Sequence, residues 1–438
     1  MIVEKWTAVE VRALRTAALR ETQEEFAERL GWGDSTIRAW ERAGTGRTVR
    51  AGRAEALDTV LRELTTEQAA RFAAALALPR PAPPVHPGTA AGRHAAAIEE
   101  DTVRRRDFGK LAAFTAATLP AWDTQHAATR IGVEDVRRLA SAVDELLVAD
   151  QHVGGAPLVD AAAATLDRTL ALLHTSSFDG ATGRAFMAAT ADLAVVTGWL
   201  AHDTDRHALA RRCYSDAASL ASAADDTDIA AHAYLNSANQ ALTLARTGRG
   251  SSSYALTLVG RARDLMRGRP PGRIHALIAT REAQVYGVAG DHEGFGRAIA
   301  TAWRELDAAV NFEPDDEVPL WLRFVSASEI RALEARGYND LGDLPRALTL
   351  YEVTCSEFAQ PRNALNDRAW LAATRAAIGD AAGALEDGTP VLAALAESVR
   401  SPRTLNALAP VRAAAEDAPG GADFVARFDT LAAMEGAV

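Results

Sequence analysis

Lysine is nearly missing from this 438-residue chain: only Lys5 and Lys110 occur, and every other basic side chain is arginine. Cysteine is equally sparse. Cys213 and Cys355 stand far apart in no CxxC arrangement, which excludes a disulfide framework and a thiolate metal site and leaves both as small core residues. No uninterrupted run of about 18 apolar residues is present, so no membrane span is expected. The opening MIVEKWTAVEVR lacks the basic-then-apolar layout of an export signal, and the expected compartment is the cytoplasm. Alternation with period two is also lacking, so strands are not expected and no glycine-rich phosphate loop can follow one. No Ser/His/Asp or Cys/His set emerges from spacing, and the expectation is a protein without catalytic residues, metal or cofactor.

What is present is apolar and helical. Hydrophobic residues make up 48% and charged residues 24%, enough apolar surface for a folded core. A net charge of -11 argues against nucleic acid until its distribution is considered. Residues 1–80 hold 13 Arg/Lys against 12 Asp/Glu, so nearly all the acidity lies downstream. Arg42, Arg47, Arg50 and Arg53 fall within twelve residues that contain no acid. Such a basic stripe on a small neutral domain is compatible with phosphate contact.

The chain reads as three parts. Residues 1–78 carry short helices with apolar periodicity. Residues 79–125 open with PRPAPPVHPGTAAG, whose five prolines favour extended chain, and continue into a connecting helix near 95–118. That helix holds Arg105, Arg106, Phe108 and Lys110 in a twin-arginine-like order, but its position behind a whole domain excludes an export role. From 126 to 438, helices of roughly 15 residues alternate with short turns. The turns fall into register. Gly248, Gly290-Asp291, Gly342-Asp343 and Gly379-Asp380 recur 42, 52 and 37 residues apart, each with an alanine seven positions earlier: Ala241, Ala283, Ala335 and Ala372. A small residue at a fixed place lets two helices approach closely. LGDLPRALTLYE at 341–352 and IGDAAGALED at 378–387, with Ala347 and Ala384 each five residues after their glycine, resemble the tetratricopeptide pattern. The implied body is an α-superhelix with a concave surface.

TQEEFAERLGWGDSTIRAWER, from Thr22 to Arg42, satisfies the demands of a helix-turn-helix. Two helices crossing steeply need a small residue in the first, supplied by Ala27, and a turn residue free to take positive φ, supplied by Gly31. Phe26, Leu30, Trp32, Ile37 and Trp40 occupy the apolar contact positions, and Asp34 or Ser35 can cap the second helix. These residues resemble the Xre, or Cro/CI repressor, family. The resemblance implies an all-α protein: a lambda-repressor-like five-helix DNA-binding domain, followed here by the tetratricopeptide-like superhelix. It also implies that Gln23 contacts phosphate or base and that Asp34, Ser35, Thr36 and Arg38 enter the major groove. Arg38 is the best base reader, because its planar fork can bridge guanine O6 and N7. Arg42, Arg47 and Arg50 are then phosphate clamps, although Ala43-Gly44 lengthens the following loop relative to the family and shifts the last two.

Head, linker and repeat body together resemble actinobacterial Xre regulators with repeat-containing C-termini, and share their layout with the peptide-sensing RRNPP regulators. The expected function is sequence-specific transcription regulation as a homodimer on an inverted-repeat operator in double-stranded DNA. Under this reading the repeat body binds a small-molecule or peptide effector. The alternative is a repeat body that docks a partner protein and takes no small ligand.

The candidate effector residues come from DIAAHAYLNSANQALTLAR at 228–246, where Asn236, Asn239, Gln240 and Thr243 share one helical stripe. Uncharged amides can pair with both donors and acceptors. Nine positions before the turn glycines lie Asn239, Arg281 and Trp370, which places them on one concave surface together with Gln284 and Asn366; Asn363, Asn366 and Trp370 make a later stripe. Two other clusters read as turns. His202 and His207 of HDTDRH would lie about 140° apart on a continuous helix, too far to share a metal. The arginines of MRGRPPGR at 266–273 decorate a loop.

Overall fold

A computed structural model describes residues 6–19, 21–30, 32, 51–65, 68–69, 72, 130–313, 318–356 and 361–435. Among these the chain is all-helical, with 18 α-helices and no strand; a lone bridge joins Arg130 to Ser177. They divide into two compact units, one drawn from residues 1–93 and the other from 94–313 and 317–438.

The first unit contains α1 (Ala8–Ala13), which runs on as a wider π turn over Leu14–Leu19, then α2 (Gln23–Leu30) and α3 (Ala51–Glu63). Trp6, Val11, Leu14, Phe26, Leu57 and Phe72 are buried together. Burial of an indole requires a partner for its N–H, and Trp6 Nε1 donates to Asp58 Oδ1 at 2.8 Å. α2 begins with a capping box: the Thr22 backbone N–H donates to Glu25 Oε2 at 2.8 Å and the Glu25 N–H to Thr22 Oγ1 at 3.2 Å. Phe26 and Ala27 are buried. Gln23 sits half-buried in the first turn of α2. Asp34, Ser35, Thr36, Arg38, Arg42, Arg47 and Arg50, and the linker with its connecting helix, lie outside the described residues.

The second unit begins with α4 (Val133–Val153), α5 (Val159–Thr175), α6 (Gly180–Asp203) and α7 (His207–Ala224). By length and composition α6 could cross a membrane, but 67% of its apolar stretch is buried, and it packs against α4, α5, α7 and α8. Helical hairpins follow in series: α8 (Thr227–Arg246) with α9 (Ser252–Leu265), α10 (Arg273–Ala289) with α11 (His292–Phe312), α12 (Ala327–Asp340) with α13 (Leu344–Ser356), and α14 (Pro361–Ala377) with α15 (Ala381–Glu397). The chain closes with α16 (Pro402–Ala407), α17 (Ala409–Ala415) and α18 (Gly421–Glu435).

The recurring glycine explains how each hairpin turns, with an aspartate after it in all but the first, where Arg249 follows Gly248. Gly248, Gly290, Gly342 and Gly379 all have φ between 71° and 86°, the left-handed conformation that ends a helix and that a side chain would strain. The following aspartate starts the next helix: Asp291 Oδ1 accepts from the Gly294 N–H and Asp380 Oδ1 from the Gly383 N–H, at 2.8 and 2.9 Å. Ala241, Ala283, Ala335 and Ala372 are buried, as are Ala347 and Ala384 on the returning helices.

The row of hairpins returns to its start. α14 packs against α4, and α16 against α6. The Arg400 N–H donates to Val153 O at 2.8 Å, and the Ala156 N–H to Arg400 O at 3.3 Å. Gly154 makes this approach possible, since a Cβ on it would stand 2.4 Å from Arg400 O, and its φ is 77°. A cluster of buried charges locks the junction. Arg362, 1% exposed on α14, places its guanidinium 3.1 Å from Asp150 on α4 and 2.6 Å from Asp203 at the end of α6. Asp203 also accepts from Arg403 Nε at 3.0 Å, Ser401 Oγ at 2.9 Å and the Gly155 N–H at 3.1 Å. Burial alone would push its carboxyl up; Arg362 and Arg403 outweigh that and hold it at about 2. Asp150 keeps one guanidinium and the Trp199 Nε1–H, at 2.9 Å, and there burial wins and raises the carboxyl.

Candidate functional site

The hairpins enclose a cavity of about 890 Å3 within the second unit. Its walls come from α4, α6 and the leading helix of each hairpin, α8, α10, α12 and α14, while α9, α11 and α15 stay behind them. The turn register dictates which side chains enter. Nine positions before the glycines stand Asn239, Arg281, Leu333 and Trp370, and all four line the cavity. One helical turn earlier, thirteen positions before, stand Leu235, Leu277, Glu329 and Asn366, and these line it as well.

Of the seven residues expected at an effector site, Asn236, Asn239, Arg281, Gln284, Asn366 and Trp370 line this cavity. Gln240 does not. It turns away into the α7–α8 packing, where Nε2 donates to His207 O at 2.9 Å and the side chain is 2% exposed. The four-residue stripe on α8 spans a wide arc, and position 240 falls on its buried edge.

Two arginines in the wall have no carboxylate at ion-pair distance among the described residues. Arg281 on α10 is 6% exposed, and its Nη1 donates to Gln284 Oε1 at 2.7 Å. Arg336 on α12 lays its guanidinium 3.5 Å from the ring centre of Trp370. The Nε of each is buried without a protein acceptor. Burial draws Arg281 down to about 10 and Arg336 to about 9, since a charge away from water is costly. The cavity's other inward arginines are neutralised: Arg246 by Asp340 at 2.7 Å, and Arg362 and Arg403 by the junction aspartates.

Further lining groups are buried and unpaired in the protein: Trp370 Nε1, Tyr351 Oη, Ser328 Oγ and His202 Nδ1. His202 is pushed down to about 3, chiefly by burial, and is neutral. Glu329 and Asp367 face the same space; burial raises both carboxyls and favours their neutral, donor form. Trp321 stacks on His232 with ring centres 3.9 Å apart, and with Phe324, Leu235 and Leu277 it supplies an apolar flank.

The sequence reading of HDTDRH needs one correction. α6 stops at Asp203 and the chain turns at Asp205, φ 58°, before α7 begins, so the two histidines are not on one helix and their rings come within 5.7 Å. No group of three or more potential metal ligands occurs among the described residues. Arg336, Tyr351, Glu329, Arg362 and Arg403 were not foreseen. Glu329 and Leu333 could have been, by carrying the glycine register through the third hairpin.

Neither a protein-family model nor a curated protein sequence matches this chain.

Proposed function

We propose that the chain is a cytoplasmic transcription regulator with an Xre-type helix-turn-helix at residues 22–41 and a tetratricopeptide-like second unit that binds an effector. It acts as a homodimer on an inverted repeat and is not an enzyme. The observation that carries the sensing half is the convergence of the repeat register on one cavity, several of whose buried polar groups have no partner among the described residues. A buried polar atom without a partner costs about 1–3 kcal/mol, and several around one space of this size are a feature of ligand sites. The docking-scaffold alternative expects an open groove with a charged rim; the lining here mixes amides and aromatics with arginines and acids, and the unpartnered buried groups among them favour a small ligand. The DNA-binding half is supported by the motif spacing, the capping box at Thr22 and Glu25, and the buried Phe26 and Ala27.

Selection of bound fragments from genomic DNA tests the reading. It should return an inverted repeat with half-sites about 10 bp, or a multiple, apart. Arg38→Ala should weaken the selected site by about 1–3 kcal/mol and relax one base pair, whereas Arg47→Ala should weaken all sequences alike. Absence of any sequence preference would refute the proposal.

A further inference from the structure

We infer that the cavity takes a small organic oxyanion, a carboxylate or phosphate on a flat apolar body, with its charge on the wall formed by Arg281, Gln284 and Arg336. This rests on the reading of the cavity as an effector site. Charge balance leads to the anion. Arg246, Arg362 and Arg403 are satisfied by aspartates, and Arg249 and Arg323 are exposed. That leaves the buried Arg281 and the half-buried Arg336, whose Nε is buried, without a counter-ion at ion-pair distance among the described residues. Such a charge is among the least favourable groups in a protein interior unless something pairs with it. The nearby acids do not pair with them directly: neither Glu329 nor Asp367 reaches ion-pair distance of either guanidinium, the Glu329 charge acts on Arg281 only through space, and burial raises both carboxyls.

The body of the ligand follows from the remaining walls. Trp370, under the Arg336 guanidinium, and Trp321 with Phe324 present apolar faces to the same space. Asn236, Asn239 and Asn363 offer amides, which can read neutral polar substituents. A volume of about 890 Å3 accommodates a compound larger than a simple acid.

The test uses three probes that share one ring system: naphthylacetate, naphthyl phosphate and the neutral naphthylethanol, titrated calorimetrically into the full-length protein. At least one anion should bind about tenfold or more tightly than the alcohol, because an ion-assisted contact separates them. Whichever anion is tighter identifies the source as carboxylate or phosphate. Arg281→Met and Arg336→Met should each lower the anion's affinity about 10- to 100-fold and leave the alcohol unchanged. Their melting temperatures should hold or rise, since an unpaired buried charge is removed. If Arg336→Met unfolds through loss of the Trp370 stack, Arg281→Gln and the anion-to-alcohol ratio in the unsubstituted protein still decide. Equal affinity for alcohol and anions, or an anion affinity unmoved in both variants, overturns the inference and leaves the cavity a ligand site. Binding of none of the three overturns the inference and the effector-site reading together. A sequence preference in the DNA selection would survive either result.

Discussion

Replacing Arg362 by Met should open the junction between the two ends of the hairpin row. The guanidinium is the counter-charge of two buried carboxylates, Asp150 at 3.1 Å and Asp203 at 2.6 Å, and Met fills most of its volume without the charge. Removing one partner of a buried ion pair costs about 3–5 kcal/mol, because the remaining charges stay out of water. Local opening reports this directly: the amides of Arg400 and Ala156 bond across the junction, and their hydrogen exchange should accelerate about a hundred- to several thousand-fold at pH 7. The effect must depend on pH. Asp203 is held at about 2 in the fold, below its unfolded value, so the native junction gains stability above about pH 4 and loses it as pH falls towards 2. In the variant Asp203 keeps Arg403, Ser401 and the Gly155 N–H but loses its largest counter-charge, so both folded carboxyls move up and the gain in stability with rising pH shrinks or reverses. The difference between the two proteins is therefore small near pH 2 and grows as pH rises towards 7. Adding Asp150→Asn and Asp203→Asn should restore most of the loss at pH 7. A destabilisation of equal size at pH 3 and pH 7 would refute the electrostatic account and leave only lost packing against Trp199, whose ring centre lies 4.9 Å from the guanidinium.

Three further outcomes are expected. Gly154→Ala combines a left-handed φ with a Cβ placed 2.4 Å from Arg400 O, so it should cost about 1–3 kcal/mol and accelerate exchange at Arg400 while α10–α13 stay protected; uniform protection loss would count against it. Asp192 is pushed up to about 7 by burial, then by Asp144 and Asp226, so its penalty is absent below about pH 4, grows as pH rises and is complete above 7. Asp192→Asn should accordingly stabilise the protein at pH 8 and not at pH 4; with its side chain 30% exposed, about 1–2 kcal/mol is expected from urea unfolding, and equal curves at both pH values would contradict this. Asn239→Ala should abolish effector-dependent change in DNA binding and leave effector-free binding intact, as read by fluorescence anisotropy on the selected operator; parallel loss of stability and DNA binding would make the residue structural.

The hairpins were legible because a helix end must solve a local problem. A glycine that alone tolerates positive φ, an aspartate that caps the next helix and an alanine seven residues earlier are all fixed by neighbours in sequence. The cavity wall was legible for the same reason, since residues at one register position share a face. Gln240 was misplaced because a stripe of four spans more arc than the wall, and only packing against α7 decides which edge is buried. The junction was not legible at all. Asp203 lies 198 residues from Ser401 and 200 from Arg403, and no local rule links side chains at that distance. HDTDRH drew attention for its histidines, whereas the residue that matters most there is the aspartate between them.

The junction also limits how this protein can vary in evolution. An open solenoid gains or loses a repeat at modest cost, because each unit touches only its neighbours. Here the hairpins must together carry α14 back to α4, so their number is fixed like the stones of an arch. Excising one in frame, say residues 273–326, would leave every surviving turn well formed and still strand Arg362 away from both aspartates. Divergence in this architecture should therefore proceed by exchanging the side chains that face the cavity, with the count of hairpins held constant.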